Sequence, residues 1–173
     1  MHDNEFDTPS TIAAAMIGVP PSPTGDITPQ IKPSTTYTTD QGYMYYRNSG
    51  PGLTDTETVL CKLEGGADAL LFSSGMASAT HRLLALGPGS HILAPETMYW
   101  FLRSWMTKQA PALGLEISLY PNGDLDAVKA GIRPVETKAV WAETPSNPDW
   151  SLMDIAACAE LAHAHGVKLF VDS

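Results

Sequence analysis

Apolar runs of four or five residues recur along residues 53 to 173, separated by longer stretches with apolar positions every three or four residues. The runs suit strands and the longer stretches suit amphipathic helices. Strands are predicted over 69–72, 91–94, 116–120, 138–142 and 168–172. Helices are predicted from Met76 to about Leu86, over about 98–110, briefly after Asp124, and from Asp154 with Ile155, Cys158, Ala159 and Ala162 on one stripe. Ahead of the first strand, Thr54 and Glu57 read as a capping box opening a helix with Val59, Leu60 and Leu63 on one face, stopped by Glu64-Gly65-Gly66. The order is α/β, with a mainly parallel sheet covered by helices on both faces. In such sheets ligands bind beyond the carboxyl ends of the strands.

Residues 1 to 52 differ. Pro20, Pro21, Pro23, Pro29 and Pro33 interrupt a Ser/Thr-rich stretch with no sustained period, which reads as an extended N-terminal arm ahead of an α/β part at 53–173. Tyr43, Tyr45, Tyr46 and Arg47 concentrate aromatic and cationic groups near its end, a pattern expected of an arm that docks on a partner surface.

Composition narrows the possible functions. The 173 residues are 43% hydrophobic and 17% charged, enough to build a core, and the formal net charge of −9 has the wrong sign for broad contact with a nucleic-acid backbone. No apolar stretch approaches the roughly 20 residues that span a bilayer. Acidic residues stand at the N-terminus where an export signal needs positive charge, so a soluble protein of the cytoplasm is expected, with no nucleic-acid or membrane partner. Cys61 and Cys158 form no metal or redox spacing and read as small packed side chains. His163 and His165, two apart on a helix, face different ways and cannot chelate one metal.

Three strand ends carry candidate chemistry. Ser73-Ser74-Gly75-Met76 follows a predicted strand and opens a helix; free amides, a glycine and hydroxyls there form a phosphate cradle, although the same residues make an ordinary capped turn. Glu143-Thr144-Pro145-Ser146-Asn147-Pro148 follows the fourth strand, where Asn147 offers a donor and an acceptor or simply completes a tight loop. Asp172 ends the fifth strand; at the tip of a buried apolar run it would need a partner, which a helix cap, a ribose hydroxyl, Mg²⁺ or a pyridinium could each provide. No Gly-x-Gly-x-x-Gly follows the first strand, which sets a dinucleotide fold aside.

In order, Tyr45-x-Arg47, Leu63-Glu64-Gly65-Gly66, Ser73 to Met76, Tyr99, Glu143 to Pro148 and Val171-Asp172 resemble the transsulfuration family of pyridoxal-phosphate enzymes. That family includes cystathionine γ-synthases and the cystathionine and methionine lyases. The resemblance runs from about Thr11 to Ser173 and implies part of the three-layer large domain of the aminotransferase-like fold (fold type I), with pyridoxal 5'-phosphate as cofactor. It implies that Gly75 and Met76 give amides to the cofactor phosphate beside Ser74. Tyr99 would stack on the pyridine and act as an acid or base, Asn147 would reach the phenolic oxygen, and Asp172 would keep the ring nitrogen protonated. Tyr45 and Arg47 would reach the phosphate held by a neighbouring subunit.

The family's Schiff-base lysine lies downstream of Val-Asp in a Ser-x-Thr-Lys segment, and none of Lys32, Lys62, Lys108, Lys129, Lys138 and Lys168 stands in one. Lys168 is four strand residues from Asp172, roughly 13 Å, at the opposite strand end. The expected function is therefore β- or γ-elimination or γ-replacement on a sulfur amino acid or O-acylhomoserine, by a chain that is incomplete and inactive alone. A neighbouring subunit of a dimer or tetramer, or a second polypeptide, would complete it with the lysine and the C-terminal domain. The alternative is a non-catalytic or complementing subunit, or a degenerate homologue, that keeps the phosphate and dimer contacts. Trp100, Phe101 and Leu102 stand where the family usually has small residues, which implies a reshaped entrance.

Overall fold

Strands buried on both faces need apolar side chains at successive positions, and two runs meet that demand. Strand β1 (His91–Pro95) is buried throughout, and β3 (Thr137–Glu143) is buried at every position but Lys138. They form the centre of a four-stranded sheet in the computed structural model, which describes residues 8–26, 28–38, 40 and 42–173. The edges are β2 (Glu116–Tyr120) and β4 (Lys168–Asp172), in the order β2-β1-β3-β4 with every pair parallel.

The alternation of side chains along the strands separates two apolar layers. Ile92, Ala94, Ala139 and Trp141 pack with α3 (Gly75–Leu84) and α4 (Trp100–Lys108) through Leu83, Leu102 and Met106. Leu93, Val140 and Ala142 pack instead with α5 (Leu125–Gly131) and α6 (Ile155–Ala164) through Val128, Cys158 and Ala162. This is the expected three-layer α/β architecture. Each of α3, α5 and α6 starts at a capping side chain: Ser74, Asp124 and Asp154 accept the amides of Ala77, Ala127 and Ala157 at 3.1, 2.8 and 3.0 Å. Each cap contributes about 1 kcal/mol.

The chain divides into two compact units, Met1–Phe72 and Ser73–Ser173. In the first, a short helix α1 (Pro9–Ala15), capped by Thr8, interrupts the stretch read as extended and packs on α2 (Pro51–Leu63). Helix α2 begins at Pro51, three residues before the expected Thr54, because a proline's fixed φ suits the first helical position. Thr54 lies inside the helix with its hydroxyl turned back to Gly50 O, and Glu57 accepts the amide of Leu71 at 2.9 Å. The expected strand at 69–72 is not formed. Those residues pair with no strand among the described residues, and Leu70 is 71% exposed. Near the end of the arm, Thr36 and Tyr45 form one antiparallel bridge. Among the described residues, no helix is long and apolar enough to cross a membrane.

Candidate functional site

The carboxyl ends of β1, β3 and β4 carry three of the residues singled out in the sequence, Tyr99, Asn147 and Asp172. A cleft of about 330 Å³ is lined by Ser74, Gly75, Met76, Tyr99, Leu102 and Asp172, so the helix start, the aromatic ring and the strand-end carboxylate face one space. Asn147 lines an adjoining hollow of about 460 Å³ that shares Tyr99 and includes Trp100 and Phe101. Tyr45 and Arg47 belong to the N-terminal unit. There Arg47 Nη2 donates to the Tyr45 hydroxyl at 3.2 Å, and the guanidinium lies 5.1 Å from the Tyr45 ring centroid. Both side chains are exposed.

At the N-terminus of α3 the first amides have no intrahelical acceptor. Ser74 Oγ accepts that of Ala77 and Ser74 O accepts that of Ser78, which leaves Gly75 and Met76 as the donors for an incoming anion. A Cβ built on Gly75 would meet nothing within 4 Å, so the space before these amides is open. The Ser74 hydroxyl, having accepted, keeps its own proton to donate.

Asp172 corrects an expectation. It is exposed rather than buried at the tip of its strand, and its carboxylate makes no hydrogen bond or ion pair with the described residues; its main chain pairs with β3, and its carbonyl accepts the Thr144 amide at 3.0 Å. The carboxylate lines the cleft and stays open to a cation there.

The loops are fixed by polar groups that carry no local sequence signal. Glu143, at the end of β3, accepts the Tyr99 amide on Oε2 and the Asn147 amide on Oε1, each at 2.8 Å. Asn122 accepts the Thr97 amide at 2.8 Å and donates to Thr97 O and Ser146 Oγ at 2.6 and 2.7 Å. Ser146 Oγ in turn donates to Thr97 O at 2.6 Å. Three loops from three strands are thus joined around the site. Tyr120, whose hydroxyl donates to Trp141 O at 2.8 Å, has its pKa raised by burial and stays a neutral donor. Glu143 and Ser146 lie inside the Glu143–Pro148 segment; Glu143 meets Asn147 within it, but Tyr99, Thr97 and Asn122 come from elsewhere in the chain.

The donor set fits a planar ring with an anionic tail and a basic ring nitrogen. Two amides and a hydroxyl are suited to an anion, Tyr99 offers a π-face, and the Asp172 carboxylate on the same cleft is suited to a cationic nitrogen. Fold and cleft together define an α/β domain of the pyridoxal-phosphate-binding kind. The chain belongs to the family of Cys/Met metabolism PLP-dependent enzymes, whose model matches residues 11–173.

It is 37% identical to an L-methionine gamma-lyase of Porphyromonas gingivalis, over 78% of this chain and 34% of that protein. It is 35% identical to a cystathionine gamma-synthase of Mycobacterium leprae, over 90% of this chain and 42% of that protein. The crystal structure of metB from Corynebacterium glutamicum matches 95% of this chain and 46% of its own, with a TM-score of 0.84 and 31% identity. The chain spans between a third and half of the length of these relatives.

Proposed function

We propose that this chain forms the cofactor-binding part of an enzyme that carries out β- or γ-elimination or γ-replacement on sulfur-containing amino acids or O-acylhomoserine. The observation that supports it is the single cleft uniting the free amides of α3, the ring of Tyr99 and the carboxylate of Asp172. Bound pyridoxal 5'-phosphate supplies an electron sink for negative charge at the α-carbon of an amino acid. Asp172 serves that role by holding a proton on the ring nitrogen through a charge-assisted bond. Gly75, Met76 and Ser74 hold the phosphate, Tyr99 covers one ring face with its hydroxyl available for proton transfer, and Asn147 donates to the phenolic oxygen.

Tyr45 and Arg47 serve the phosphate of a neighbouring subunit. Their mutual contact presents a guanidinium fork and a phenol from one place. Among the described residues no lysine lines the cleft, and this reading assigns the α-proton to a base from another segment, on the same or a second polypeptide.

Titration with pyridoxal phosphate and with pyridoxal, followed by induced circular dichroism of the ring, tests this reading. The phosphate form should bind at least tenfold more tightly, and Asp172→Asn should weaken it by about tenfold or more, as expected for loss of a charge-assisted bond. Equal affinity for the two forms, or an indifferent Asp172→Asn, would overturn it.

A further inference from the structure

We propose that Glu143 is a positioning residue: its carboxylate clamps the main chain of Tyr99 and Asn147 together and thereby sets where both side chains meet the ring. This rests on the proposed function, which takes those two residues as ring contacts. The Glu143 side chain is buried, with the residue 7% exposed at the last position of β3, and each carboxylate oxygen accepts one amide at 2.8 Å. One amide opens α4 and the other lies in the turn after β3, so a rigid central strand holds both loops by one side chain.

Tyr99 has no side-chain cap bond, and its backbone, at φ −46° and ψ 119°, turns into α4 held by the amide bond to Glu143. A rotation there would swing the ring. The neighbouring network of Asn122, Thr97 and Ser146 joins the same loops but reaches neither of these two amides. Losing the clamp therefore leaves the loops joined and the fold intact while the two ring contacts lose their common reference. Glu143 also has no part in the α3 cradle, so its effect on the ring is separable from phosphate binding.

Glu143→Gln is the decisive variant. Its carboxamide keeps one acceptor and turns an NH₂ donor towards the other amide, so one bond of the pair is lost. Amide hydrogen exchange, pyridoxal-phosphate affinity, the induced circular dichroism of the ring and competition by inorganic phosphate would be measured on the variant and the parent chain. The Tyr99 or Asn147 amide should exchange at least tenfold faster, pyridoxal phosphate should bind about tenfold more weakly with an altered ring signal, and inorganic phosphate should compete as before, in line with one lost bond to a charged group.

A folded Glu143→Gln with unchanged ring signal, affinity and exchange overturns the proposal. If the parent chain gives no ring signal, the proposed function fails, and the exchange rates alone decide the clamp: faster exchange supports it and unchanged exchange refutes it. If Glu143→Gln does not fold, Glu143→Asp, which keeps the charge but reaches one amide, carries the same comparison.

Discussion

At the scale of single residues, His91 is held away from water with both ring nitrogens engaged. Nδ1 lies 2.7 Å from Thr137 Oγ1 and Nε2 2.9 Å from Ser118 Oγ, and both hydroxyls also accept from Arg133. Burial lowers the pKa of His91 and the Arg133 cation lowers it further, while Glu116 and Glu136, which pair with Arg133, raise it more weakly. The neutral ring is thus favoured in the folded chain. Its contribution is present above the ordinary histidine pKa of about 6.5 and is lost as pH falls through the lower folded value, at no more than about 1.4 kcal/mol per pH unit for one proton. Thermal midpoints measured between pH 7.5 and 5 should therefore fall more steeply for the parent chain than for His91→Gln, and parallel curves would refute the assignment. Nothing local in the sequence marks this residue, because Thr137 and Ser118 reach it from two other strands. Glu143 was hidden in the same way: one of its partners is 44 residues distant. The Ser74-Gly75-Met76 turn, by contrast, was legible because its cap, glycine and free amides are consecutive.

At the scale of elements, strands and helices were readable where the apolar pattern had a partner to bury against, which covers all four strands of the sheet and α3 to α6. Residues 69–72 show what the pattern lacks: an apolar run records that a strand could be buried, not which strand it joins. Helix α2 was legible in kind but not in onset, since a capping-box spacing and a proline start compete and only packing decides between them. The turns are a sharper case. Gly123 (φ +73°), between β2 and α5, and Gly166 (φ +69°), after α6, share a left-handed backbone, yet a Cβ on Gly123 would lie 2.7 Å from Leu152 O and one on Gly166 would meet nothing within 4 Å. Gly166→Ala should cost only the conformational term, about 1–2 kcal/mol, whereas Gly123→Ala adds an overpacking term of about 1–3 kcal/mol against main chain. Urea midpoints of the two variants would separate these terms, and equal losses would show that the 122–124 turn does not press on the loop after β3.

At the scale of the whole molecule, family membership was legible from an ordered set of short motifs, while the organisation of the site depended on long-range bonds no motif encodes. Net charge has a consequence of its own at this scale. The chain carries a formal −9, and pyridoxal phosphate arrives as an anion, so the long-range field opposes encounter while the α3 amides attract only at short range. Salt shortens the Debye length from about 30 Å at 0.01 M to about 8 Å at 0.15 M and so removes the long-range part first. The association rate of pyridoxal phosphate should accordingly rise, by about twofold over that range, whereas that of pyridoxal, which lacks the phosphate, should stay flat. Stopped-flow measurement of the ring signal at several ionic strengths decides the matter. A rate that falls with salt would mean that a local cation governs capture in spite of the net charge. Arg47, exposed beside Tyr45 and proposed to serve the phosphate of a neighbouring subunit, would be the first residue to replace, since Arg47→Gln should then convert the falling dependence into a rising one.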